Sequence, residues 1–152
     1  MTDPVSYSTT TARLGMPMLF AGQAQKEVTV NEALSLLDVL VSGSVEGVRS
    51  DPPAAPVSGQ AWIVGSSPVG QFAGRANAVA VWTEGGWRFA SAVRGLRLYD
   101  SQKQAFQLFD SAWTIASPPA VPTGGSVIDT EARAAIAALI LALKATGTFS
   151  SS

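Results

Sequence analysis

The sequence predicts an α+β, β-rich fold: an N-terminal amphipathic helix, a small antiparallel β meander, and an apolar C-terminal helix used for oligomerisation. Three observations predict it. Apolar residues recur at helical spacing from Val30 to Val41, and short runs alternating with period two fill the middle of the chain between Gly- and Pro-rich turns. The third is IDTEARAAIAALILALKATG, an almost uninterrupted apolar helix near the end. At 152 residues the chain is long enough for one domain with its own core and short for two large ones.

Residues 1–20 read as an extended N-terminal arm, because Ser6, Ser8, Thr9, Thr10 and Thr11 surround Tyr7 without a helical period. Such a segment orders only where something holds it. The β-rich domain covers residues 21–116. Its helix is expected to begin at Thr29-Val30-Asn31-Glu32, which fits a capping box: the Thr29 hydroxyl accepts from the Glu32 amide while the Glu32 carboxylate returns to the Thr29 amide. Val30, Ala33, Leu34, Leu37 and Val41 then form the apolar face, with Glu32, Ser35 and Asp38 opposite, over about three turns ending at Ser42-Gly43.

Residues 45–49 fit a short strand before a Pro-rich turn at 51–59, and residues 61–64 form the next strand. Residues 78–82 and 87–89 flank Glu84-Gly85-Gly86 as a hairpin. Residues 96–99 and 106–109 alternate around 100–104 as a second hairpin, and 113–115 add a last strand. A stiff Pro/Gly linker spans 117–127.

The C-terminal helix spans 128–146, with Asp129 or Thr130 as N-cap, Glu131 in the first turn and Lys144 in the last; residues 147–152 are a tail. Ala132, Ile136, Leu139, Ile140 and Leu143 form one apolar face, and the alanines and Leu141 between them leave almost no polar one. A helix apolar all round must be buried on more than one side. One small meander covers one side, so this helix is expected to pack against copies of itself or another subunit, with threading through its own domain's core as the lesser alternative. Ile136, Leu139, Ile140 and Leu143 are the expected subunit contacts.

Composition narrows the function. Ten basic and 11 acidic residues, scattered singly, leave a net charge of −1 and no electrostatic footprint for nucleic acid or an anionic membrane. Only 14% of the chain is charged against 47% hydrophobic, which again points to surface buried between chains. Cysteine and histidine are absent, which excludes disulfides, thiolate catalysis, Cys/His zinc sites and His-dependent triads. GSSPVG and GQFAG match neither a P-loop nor a dinucleotide fingerprint, and neither a cofactor nor a metal site is expected. No apolar run reaches ~18 residues, so no membrane insertion is expected. The N-terminus has no signal-peptide pattern, and synthesis in the cytoplasm without a cleaved leader is expected.

Two sets of side chains invite a functional reading. Trp62, Trp82, Trp87 and Trp113 fall on strands, where an aromatic face can cover the C–H face of a sugar ring; the plainer and favoured account is an aromatic core. Alternation puts Trp87 and Phe89 opposite Arg88, and Arg97 and Tyr99 opposite Leu96 and Leu98. Trp87, Arg97, Tyr99 and Gln107 are therefore the glycan-binding candidates. Glu84, Asp100 and Asp110 could supply a glycosidase's carboxylate pair, but Asp-Ser at both strand ends is ordinary turn chemistry, and no catalytic residue is assigned.

The segment TARLGMPMLFAGQAQKEVTVNEALSLLDVLV, residues 11–41, closely resembles the N-terminal signature of a domain-of-unknown-function family of tailed phages, prophages and the gene transfer agents of alphaproteobacteria. The similarity continues through PPAAPVSGQAWIVG, GQFAG, VAVWTEGGWRF and LFDSAW, to about residue 115, and the terminal helix resembles a tail that follows such domains. The resemblance implies a non-enzymatic virion-surface component, a head spike or tail fibre subunit, that takes part in host attachment. It would bind host-surface polysaccharide itself or serve as adaptor for a receptor-binding partner. It also implies other virion proteins as partners and, by analogy with phage fibres, a homotrimer. Many members carry further fibre sequence after this domain, whereas this chain stops after the helix, which suits a small spike subunit or adaptor. Gln23, Gln25 and Lys26, which capping leaves unexplained, are expected subunit contacts. A capsule depolymerase and a stand-alone lectin-like domain are the rival readings.

Overall fold

The computed structural model describes residues 10, 12, 14–19, 22, 24–124 and 129–150. Among the described residues, two α-helices and eight strands make an α+β, β-rich fold. The strands form two four-stranded sheets rather than one meander. One has the order β1 (Ser44–Val45), β6 (Arg97–Asp100), β7 (Ala105–Phe109), β8 (Trp113–Ile115); the other has β2 (Val48–Arg49), β3 (Ala61–Val64), β4 (Val79–Thr83), β5 (Gly86–Ala90).

Three strands of each sheet are antiparallel, as expected, with Thr83 paired to Gly86 across the first hairpin and Asp100 to Ala105 across the second. The fourth strand of each is a two-residue parallel edge, β1 on β6 and β2 on β3. The single strand expected at 45–49 is thus split between both sheets. Gly47 makes the crossing: its φ is 150°, a backbone state that side-chain-bearing residues rarely adopt. A Cβ there would stand 2.8 Å from Gln102 Oε1.

Helix α1 (Lys26–Ser42) packs on β4 and β5. It begins one turn before the expected capping box, after Gln25 in a left-handed conformation with no side-chain cap. The larger correction concerns its face. Thr29, Glu32, Leu36 and Val39 are buried, whereas Val30, Leu34, Leu37 and Val41 are exposed. Helical period is preserved, but its phase is rotated from the expected one.

Alternation along β3, β4 and β5 sorts the interior into two cores. Ala61, Ile63, Val79, Val81 and Ala90 face α1 residues Leu36 and Val39 together with Leu98. Trp62, Val64, Ala80 and Trp87 face the other way and surround Phe72, which comes from the connection between β3 and β4. Four edge-to-face ring pairs, including Phe72–Trp87 at 4.9 Å, lock that second core.

Helix α2 (Thr130–Ala145) is capped by Asp129, whose carboxylate accepts from Ala132 N at 2.8 Å. Only Ile140 of α2 is buried. The segment after α2 is anchored rather than loose: Phe106 N donates to Gly147 O, Ser150 N donates to Ala116 O, and Phe149 bridges to Ala116. Gly147 has φ of 70°, and a Cβ on it would reach 3.0 Å from the Tyr99 ring. No helix among the described residues is long and apolar enough to cross a membrane.

Candidate functional site

The four glycan candidates do not form one surface. Trp87 is 2% exposed, with Phe72, Trp62 and Trp82 packed edge-on around it, so its ring belongs to the second core and has no free face in this chain. Gln107 is also inside, because it pairs with Leu98 across the hairpin and so shares the core-facing side of the sheet. Its Nε2 donates to Asp100 Oδ2 at 2.6 Å, and Asp100 Oδ1 accepts from Lys103 N at 2.9 Å. That carboxylate therefore organises the β6–β7 turn.

Arg97 and Tyr99 do share a face, as alternation predicted. Both engage Phe106: the Arg97 guanidinium lies 4.6 Å from its ring centroid, and the Tyr99 ring meets it edge-on at 5.4 Å. The chain after α2 lies against the same two rings through Gly147. Tyr99 and Phe106 thus form the seat of the C-terminal segment, with Arg97 at its edge.

The acidic residues are dispersed. Asp110 is paired with Arg94, and Glu84 is exposed in the first hairpin turn. Asp100 and Asp110 sit at opposite ends of β7, roughly 17 Å apart at 3.4 Å per residue. That separation exceeds the ~5–9.5 Å of a glycosidase pair. Among the described residues no group of three acidic side chains could hold a metal ion.

The buried polar centre lies elsewhere. Glu32 and Arg88 meet between α1 and β5, with Arg88 Nη2 donating to Glu32 Oε1 at 2.9 Å. Nε stands 2.8 Å from Oε2 as an ion pair off the hydrogen-bond line. Arg88 Nη1 also donates to Trp87 O, and the Thr83 hydroxyl lies 3.4 Å from Glu32 Oε1. A Cβ on Gly85 would come within 2.5 Å of both charged groups, so the hairpin needs glycine there. Glu32 is therefore a clamp from helix to hairpin and not a cap. Thr29, the residue a capping box would join to Glu32, is buried inside α1 and does not lie at its start.

This clamp, the β4–β5 hairpin and both cores fall within residues 30–114, which match the model of the family described as protein of unknown function DUF2793. That is more than half of the chain. The chain belongs to this family. The resemblance seen at residues 11–29 lies outside the matched region. No curated protein matches the chain.

Of the expected subunit contacts, Gln25 and Lys26 are exposed at the start of α1, and Gln23 lies outside the described residues. Ile136 and Leu139 are exposed, Leu143 is half-buried and Ile140 is buried. Alternation and spacing did not single out Arg75, Asn77 and Ser91, which border a cleft beside the second, aromatic core. Asn77 carried a signal: an asparagine just before a strand is suited to the left-handed conformation it adopts, with φ of 66°.

Proposed function

We propose that this family member is a non-enzymatic surface subunit of a phage-like particle, a head spike or tail fibre component that self-associates through α2 and takes part in host attachment. The observation that carries this reading is α2 itself. Leu139 is 59% exposed and Leu141 66%, in a helix whose flanking positions are mostly alanine and isoleucine. Continuous apolar surface of this kind marks a face that another chain covers, and a symmetric oligomer supplies that cover with one gene product. A trimer follows by analogy with phage fibres. The second exposed apolar stripe, Val30, Leu34, Leu37 and Val41 on α1, provides a separate face for another virion protein. The resemblance to phage and gene-transfer-agent components supports the particle, and the subunit binds host polysaccharide or holds the protein that does.

The test is particle-based. Antibody against the chain, applied to purified particles from the producing strain, should label their surface in electron micrographs and should not enrich in particle-free lysate. Incubation with capsular polysaccharide should leave polymer length unchanged. Unlabelled particles would overturn the virion reading, and shortened polymer would favour a depolymerase.

A further inference from the structure

Beside the second core, the β3–β4 connection and the exit of β5 enclose a cleft of about 290 Å³, lined by Arg75, Asn77, Phe89, Ser91 and Phe109 among others. The geometry points to this cleft as a subsite for a carboxylate-bearing sugar, a hexuronic acid unit of a polysaccharide. The inference rests on the direct glycan-binding arm of the proposed function.

Each polar group is held by structure behind it. Arg75 places its guanidinium 5.2 Å from the centroid of Phe89, and that ring stands edge-on to buried Phe72 at 5.9 Å. The cation is therefore aimed by the aromatic core and not left to wander. Asn77 is in the left-handed region, with its N–H donating to Val64 O at 3.0 Å and its carbonyl accepting from Trp113 Nε1 at 2.9 Å. Both main-chain groups are engaged, so the side-chain amide projects from a fixed backbone. Ser91 is fixed in the same way, its N–H donating to Leu14 O at 2.8 Å. Among the described residues, no hydrogen bond or ion pair occupies the side chains of Arg75, Asn77 or Ser91.

These groups fit one ligand chemistry. An arginine fork takes a carboxylate by two parallel N–H bonds. An asparagine amide, donor and acceptor together, matches neighbouring hydroxyls, and a serine hydroxyl adds a third contact. The half-exposed ring of Phe109 offers apolar surface to sugar C–H groups. No acidic side chain lines the cleft, so its charge is positive. The volume lies near the lower end of the ~300–1,000 Å³ range of ligand pockets, which suits one sugar ring.

The experiment uses the full chain, isotopically labelled and followed by NMR, with sodium D-glucuronate and D-glucose as probes. Glucuronate is expected to shift signals of Arg75, Asn77 and Ser91 with a Kd on the order of millimolar, and glucose to bind at least about tenfold more weakly. Arg75→Gln, at an exposed position, should keep the wild-type spectrum elsewhere and abolish the preference for glucuronate. Equal binding of both sugars, shifts confined to other surfaces, or an Arg75→Gln chain that binds like wild type would overturn the subsite. Retention of the chain by a uronate-rich capsular polysaccharide is measured in parallel. If wild type and Arg75→Gln are retained equally, the subsite falls and the glycan-binding reading stands. If glucuronate occupies the cleft but the polymer is not retained, the subsite stands and direct host binding falls.

Discussion

Glu32 shows how far a side chain's role depends on what lies across from it. Read from sequence alone, Glu32 closes a capping box, and its removal would cost about 0.5–2 kcal/mol. Placed opposite Arg88 it becomes half of a buried ion pair, and removing either partner strands the other charge inside the protein. Glu32→Ala and Arg88→Ala should each destabilise the chain by about 3–5 kcal/mol in urea titrations, whereas Glu32→Leu combined with Arg88→Met should recover most of the loss. A Glu32→Ala cost below about 1 kcal/mol would return the residue to a surface role. Asp51 gives the exposed counterpart. The hydrogen bond from Arg49 Nη2, at 2.7 Å, lowers its carboxyl below the ordinary range, with the arginine's charge acting in the same direction against slight desolvation. A lowered folded-state value means that the pair's stabilisation is present above the unfolded carboxylate range and is lost as pH falls through the lowered value. NMR titration should find the Asp51 midpoint below that of an ordinary aspartate, and Arg49→Gln should restore it.

The hairpins were legible because their signals are local: Val79 to Ala90 and Arg97 to Phe109 alternate around Gly- or Asp-containing turns, and register follows from the pleat. The two parallel edges were not, since two residues carry no period and Ser44–Val45 and Val48–Arg49 gain their partners only through long-range closure. Helix α1 was legible as a helix and misread in orientation. Its apolar residues trace one stripe and its buried residues another, because Arg88 draws the Glu32 side inward and leaves Leu34 and Leu37 outside. Adjacent leucines separate the two orientations. Leu36, at 1% exposure, should cost about 2–5 kcal/mol when replaced by alanine. Leu37→Ala should change stability by no more than roughly 0.5 kcal/mol. Equal losses in thermal or urea unfolding would mean that the helix sits on its other face. The glycan candidates Trp87 and Gln107 were lost to the interior for a related reason: β-alternation assigns residues to sides, but both sides of β5 are covered, and register places Gln107 beside Leu98.

Taken together, the chain combines a self-sufficient β domain with a helix that is not self-sufficient. Both cores close within residues 30–114 apart from flanking contacts such as Met16, whereas α2 buries only Ile140 and is fastened to the sheet chiefly by the segment after it. At 16 residues and with little tertiary packing, α2 is only just past the ~12–15-residue length below which isolated helices are marginal in water, because nucleation is costly. Asp129 and Lys144 at its ends improve this by only about 1 kcal/mol each. If α2 self-associates as proposed, the remaining stability comes from neighbouring copies, and helix formation and oligomerisation should be one event. The combined substitution Leu139→Glu and Leu141→Glu should therefore do two things at once. By light scattering the chain should become monomeric, and by hydrogen exchange the amides of residues 130–145 should lose protection while those of β4 and β5 keep it. Salt should not reproduce the effect, since apolar burial is not screened. A wild-type monomer at micromolar concentration with α2 fully protected would show that the domain alone holds the helix, and the particle-subunit reading would lose its main support.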